Sequence, residues 1–178
     1  SLIVIAEAGV NHDGDVGRAR ELVHAAADAG ADMVKFQAFR AEEIASRSAA
    51  PAHYQRERAG AASQRDLLEA LALDLDDFAA LAELCKALKI GFLCTAFDVT
   101  LLADLVALGM PCIKIASGEL TNSPALEHAA ALDRPILLST GMASLAEVRA
   151  ALDVLGRAGG REVTLLHCTS LYPAPSDA

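Results

Sequence analysis

Two lysines of this 178-residue sequence stand inside apolar runs, where an ammonium is costly unless something anionic meets it. In VKFQ (34–37) Lys35 and Gln37 lie two apart, so in an extended strand they share one side, with Val34 and Phe36 on the other. In IKIASGEL (113–120) Lys114 alternates with Ile113 and Ile115, and Ser117, Gly118 and Glu119 follow as the run ends. A lysine so placed is either an electrostatic anchor for an anion or an amine of depressed pKa able to form a Schiff base. Glu7 ends the first apolar run, and a carboxylate there also asks for a partner. Lys35 supplies one. The two form either a structural ion pair or part of a site, and buried pairs are poor stabilisers that tend to mark sites.

Hydroxyl and backbone donors recur where other apolar runs end: Thr95, then Ser139-Thr140-Gly141, then His167, Thr169, Ser170 and Tyr172 in LLHCTSLYPAP. Such groups can rest against a phosphate, although a lone strand-end Ser or Thr is more often a helix cap. Together with two strand-borne lysines they make an anion cradle the stronger reading. His167 stays open between a hydrogen-bonded core residue and a ligand. His12, His24, His53 and His128 are scattered over a turn, helices and a loop, and no second histidine lies at metal-ligand spacing, so no metal ligand is assigned.

The elements that must position these groups follow from periodicity. Apolar runs at 2–9, 33–39, 90–97, 111–117, 135–140 and 163–169 alternate with helical patterns at about 16–29, 64–88 in two pieces, 99–108, 123–132 and 144–158. Gly or Pro punctuates four of the returns into strands, at Gly30, Gly109-Met110-Pro111, Arg134-Pro135 and Gly159-Gly160. Near-continuous apolar strands buried on both faces fit a doubly wound sheet or a closed barrel. Polar residues at the end of every strand, rather than at one switch point, favour the barrel. The fold expected is α/β, a TIM-type (β/α)8 barrel of which about six β/α units are present over 3–178. Such a barrel takes about 250 residues, so the chain reads as one that stops before strands seven and eight. The segment 40–63, with weak periodicity, reads as a mobile insertion over the barrel mouth.

Composition narrows the partners. Hydrophobic residues make up 53% of the chain, enough for one core, while Trp is absent and Tyr and Phe number two and five, which argues against a base-stacking platform for nucleic acid. A formal charge of −9 repels phosphate backbones, so any anion is held by a few cations placed locally. Cys85, Cys94, Cys112 and Cys168 form no CxxC pair and read as buried, reduced thiols. SLIVIAEAGV has no signal-peptide pattern and no apolar stretch reaches membrane length, so a cytoplasmic protein without a membrane partner is expected.

Taken in order, IAEAGVNHDG, VKFQ, TAFD, KIASGEL, LLSTGMAS and LLHCTSLYPAP resemble the sialic acid synthase family from about residue 3 to 175. The resemblance implies condensation of phosphoenolpyruvate with an N-acetylated amino-sugar aldehyde, such as N-acetylmannosamine, to a nonulosonic acid and phosphate. By motif, Lys35, Thr95, Lys114, Ser117 and Ser139 look like phosphoenolpyruvate contacts, with Ser170 where many members have Asn. Gln37 and Tyr172 look like amino-sugar contacts, and Glu7 and Glu119 like the acidic pair that manages protons, which with Lys114 make the candidate catalytic set. The resemblance also implies Mn²⁺ or Mg²⁺, with two histidine ligands on strands seven and eight beyond Ala178. An antifreeze-like domain beyond the same point and a homodimer at full length are implied too. The chain by itself is therefore expected to be inactive. The family's Asn after strand two has no counterpart in GAASQ, and TAFD replaces TPFD. The rival readings are a Schiff-base aldolase using Lys114 and a non-catalytic sugar-phosphate-binding fragment.

Overall fold

The computed structural model describes residues 2–41, 64–160 and 162–170. All but the first two residues of the expected insertion at 40–63 lie outside them, as does Tyr172. The chain divides into two compact units, Ser1–Met110 and Pro111–Ala178. In the first, strands β1 (Ile5–Gly9), β2 (Met33–Ala38) and β3 (Gly91–Ala96) form a parallel sheet in that order. Its helices are α1 (Val16–Asp28), α2 (Gln64–Leu71), α3 (Leu75–Leu88) and α4 (Val99–Ala107). The second unit pairs β4 (Ile113–Ile115), β5 (Ile136–Ser139) and β6 (Val163–Leu166), again parallel and in order. A short 3₁₀ turn (Ser117–Glu119) leaves β4, and helices α5 (Ser123–Ala131) and α6 (Leu145–Arg157) join the strands.

Helix starts are set by side chains that bind free N–H groups of the first turn. Asp15, Asp98 and Asn122 cap α1, α4 and α5, while Asp74 and Ser144 cap α3 and α6 with reciprocal bonds from Asp77 and Glu147. Thr95, Ser117 and Ser139 cap none of these helices, which removes the commonest structural duty for a strand-end hydroxyl. The strand period is plain in β2, where Val34, Phe36 and Ala38 are buried and Met33, Lys35 and Gln37 are not. Phe36 and Phe92 stack with centroids 6.3 Å apart, and Phe78 of α3 leans on Phe92 at 6.4 Å. Ile113, Leu126, Ile136, Leu138 and Leu155 form the second unit's core.

Burial on both faces does not hold at the sheet edges. In β6 Thr164 and Leu165 are exposed, and among the described residues that strand pairs only with β5. The first strand begins at Ile5 rather than residue 2, because its register starts opposite Met33 and leaves Leu2 and Ile3 in solvent. No helix among the described residues is long and apolar enough to cross a membrane.

Candidate active site

In the first unit the expected cation is in place. Lys35 Nζ donates to Glu7 Oε1 at 2.9 Å, lies 2.7 Å from Oε2, and donates to Thr95 Oγ1 at 3.3 Å. The lysine side chain is 11% exposed and the glutamate 50%, so the ammonium is sheltered while the carboxylate faces solvent. Register explains the meeting: Glu7 lies opposite Lys35, and Gln37 opposite Thr95. A bulge then places Gly9 opposite Phe36, with Ala8 as the extra residue. Bulges of this kind turn a strand end and re-aim its side chains. Gly9 has φ +55°, and a Cβ there would lie 3.1 Å from Glu7 Oε1 and 3.8 Å from Gln37 Nε2. Glycine therefore lets the carboxylate and the amide close over the turn. Glu7, Lys35, Gln37 and Thr95 are thus brought together.

The turn after β1 is held by His12, which is fully buried. Its Nδ1 accepts from the Gly14 N–H at 3.1 Å, its ring lies 6.1 Å from that of Phe36, and Nε2 has no hydrogen-bond partner among the described residues. Burial lowers its pKa below the ordinary 6.5, against the opposing pull of Asp13 and Asp77. Gly14 packs so closely on α2 that a Cβ would overlap the Ala70 carbonyl oxygen.

In the second unit Lys114 Nζ donates to the Ile115 carbonyl at 2.9 Å. Ser139 is buried, Ser117 is half-buried and Ser170 is exposed. Glu119 Oε2 accepts from Asn122 Nδ2 at 2.7 Å, which ties this carboxylate to the start of α5. Two donors expected for an anion are engaged elsewhere. Thr140 gives both its N–H and its Oγ1 proton to the Leu166 carbonyl, at 3.1 and 2.9 Å, and Gly141 N–H donates to Ser117 Oγ at 2.9 Å. Both hold the loop after β5 to its neighbours, because a half-buried loop must satisfy its own polar groups first.

His167 is exposed, so it is not a core residue. Cys85, Cys94 and Cys112 are buried as expected, whereas Cys168 is only half-buried beyond the edge strand β6. Burial pushes the Cys85 thiol up to about 11 and those of Cys94 and Cys112 upward as well, so these are packing groups, not nucleophiles. The sequence reading missed Arg40, whose Nη1 donates to Asp98 Oδ2 at 2.7 Å and Thr100 Oγ1 at 2.8 Å. Burial would raise the Asp98 carboxyl, but the Thr100 hydrogen bonds and the Arg40 charge hold it below its usual value. The Asp of TAFD thereby joins the exit of β2 to the start of α4. The available signal was only an Asp at an N-cap position. Among the described residues no group of three or more His, Cys, Asp or Glu could hold a metal ion, so they do not by themselves fit the implied Mn²⁺ or Mg²⁺.

Parallel β/α units carrying cations and hydroxyls at strand ends define an α/β protein of the TIM-type barrel class, and the solved structures it matches agree. The chain belongs to the NeuB family, which it matches over residues 22–178. It is similar to the N,N'-diacetyllegionaminic acid synthase of Legionella pneumophila, 46% identical over 96% of this chain and 49% of the relative. The synthase of the same name from Campylobacter jejuni is 47% identical over 97% of this chain and 53% of its own length. A crystal structure of N-acetylneuraminic acid synthetase from Leptospira borgpetersenii, in complex with citrate, superposes with a TM-score of 0.85. It is 33% identical, with 99% of this chain and 57% of that one covered. The chain spans about half the length of the curated relatives it matches.

Proposed function

We propose that the protein condenses phosphoenolpyruvate with an N-acetylated amino-sugar aldehyde, giving a nonulosonic acid and phosphate. The observation that carries the reading is the sheltered Lys35 ammonium, set between the Glu7 carboxylate and the Thr95 hydroxyl where three parallel strands end. In a family of such synthases, a cation fixed in advance and shielded from water is what an enol phosphate requires. Lys35 and Lys114 are the cations that balance anionic charge, and Thr95, Ser117, Ser139 and Ser170 are the hydrogen-bond donors to phosphoenolpyruvate. Gln37 and Tyr172 contact the sugar. The enol carbon attacks the aldehyde carbon, whose oxygen takes up a proton. Water adds to the resulting cationic C2 and loses a proton, and the adduct collapses to the ketone as the C2–O bond to phosphate breaks. Glu7 and Glu119 accept the proton of that water or stabilise the cation. Both carboxylates are tethered, Glu7 to Lys35 and Glu119 to Asn122.

Two relatives at 46% and 47% identity carry the diacetyllegionaminic name, against 33% for the sialic acid synthetase, which favours a di-N-acetylated acceptor. A divalent metal with ligands outside the described residues, a homodimer and a cytoplasmic location belong to the same proposal. The test is release of phosphate from phosphoenolpyruvate by the full natural chain with Mn²⁺ and a panel of mono- and di-N-acetylated amino sugars. A nonulosonic acid should appear by mass, and more of it with the di-N-acetylated acceptors. If no sugar releases phosphate, the proposal falls.

A further inference from the structure

Two other segments of the second unit close on Gly141, which is buried in the loop after β5. A Cβ at this position would overlap Ser170 Oγ, lie 3.0 Å from Ser117 Oγ and 3.4 Å from Cys168 Cβ. Its φ lies outside the left-handed region, so the demand for glycine is spatial, not conformational. The bare Cα is what admits both hydroxyls. The loop has little freedom to give way, because the preceding Thr140 is tied twice to the Leu166 carbonyl.

The same residue also orients Ser117. A hydroxyl has one proton and two acceptor lone pairs. Gly141 N–H occupies a lone pair of Ser117 Oγ at 2.9 Å, which turns the serine proton away from the amide and leaves it to be donated. Ser117 is thereby set as a donor, the role an anionic ligand needs.

We propose that Gly141 is a positioning residue for the anion contacts: its missing side chain seats Ser170 beside Ser117, and its N–H fixes Ser117 as a donor. This rests on the reading of Ser117 and Ser170 as phosphoenolpyruvate contacts. The test compares Gly141→Ala, Ser170→Ala and the double variant in the full natural chain, by phosphoenolpyruvate calorimetry and by KM for each substrate. Gly141→Ala should weaken phosphoenolpyruvate about tenfold to hundredfold, the scale of one lost hydrogen bond to a charged ligand, with KM for the sugar unmoved. Once Ser170 has lost the hydroxyl that a Cβ would strike, adding Gly141→Ala should cost at most about threefold, the signature of two residues in direct contact. Equal costs in both backgrounds, or wild-type affinity in Gly141→Ala, would overturn the proposal. If Gly141→Ala fails to fold, recovery of fold and binding in the double variant supports it, and failure of both defeats it. A wild-type chain that does not bind phosphoenolpyruvate defeats the functional reading and this proposal together. Weakened binding in Lys35→Met beside unchanged binding in Gly141→Ala defeats this proposal alone.

Discussion

Replacing Lys35 by Met separates a binding role from a structural one. Methionine keeps most of the apolar stem and removes the ammonium between Glu7 and Thr95. If Lys35 holds an anion, the loss is one charge-assisted contact, about 1.5–3 kcal/mol or roughly 10- to 150-fold in affinity. Stability should change far less. The partner carboxylate is half exposed and is rehydrated once freed, and pairs of that kind are worth about 0–1 kcal/mol. Phosphoenolpyruvate titration by calorimetry, beside thermal unfolding of the same samples, reads both quantities. Affinity should fall by at least about tenfold while unfolding moves by no more than a few degrees. Affinity within twofold of wild type would refute the anion assignment. A stability loss above about 3 kcal/mol would mark Glu7–Lys35 as a buried structural pair instead.

His12 has a lowered pKa when folded, so below 6.5 the unfolded chain binds a proton that the folded one resists. Its contribution is present above that value and lost as pH falls. His12→Asn keeps an acceptor for Gly14 N–H and should show a shallower decline in Tm between about pH 7.5 and 5, checked by calorimetric scans. Parallel curves for the two proteins would refute this. Gly14→Ala combines φ +75° with a collision at the Ala70 carbonyl and should cost about 1–3 kcal/mol in urea unfolding. A change below half of that would mean that the turn moves away from α2. Borohydride added with pyruvate should leave Lys114 unmodified by mass spectrometry. A trapped adduct there would establish the Schiff-base alternative.

Much of the architecture was legible because each element carries a local signal. The six apolar runs and the helical patterns between them match the observed strands and helices to within a few residues. The alternation in VKFQ correctly placed Lys35 and Gln37 on one side of β2. The first strand was read too long because its apolar residues run on past the point where a partner is present.

The pairing of Glu7 with Lys35 was inferred from cost alone, and tertiary register made it specific by setting these residues opposite each other. Which donors remain available was decided only in three dimensions. Thr140 and Gly141 look in sequence like further anion contacts, yet their hydrogen atoms go to Leu166 and Ser117. His12 reads as one more polar turn residue, yet it is buried against Phe36. The distinction is physical. Periodicity and capping depend on near neighbours in the chain, so sequence alone determines which residues form strands and which polar side chains lie at their ends. Hydrogen-bond partnership and clearance at a glycine depend on atoms brought from elsewhere, 24 residues away for Ser117 and Gly141, and only the fold supplies them.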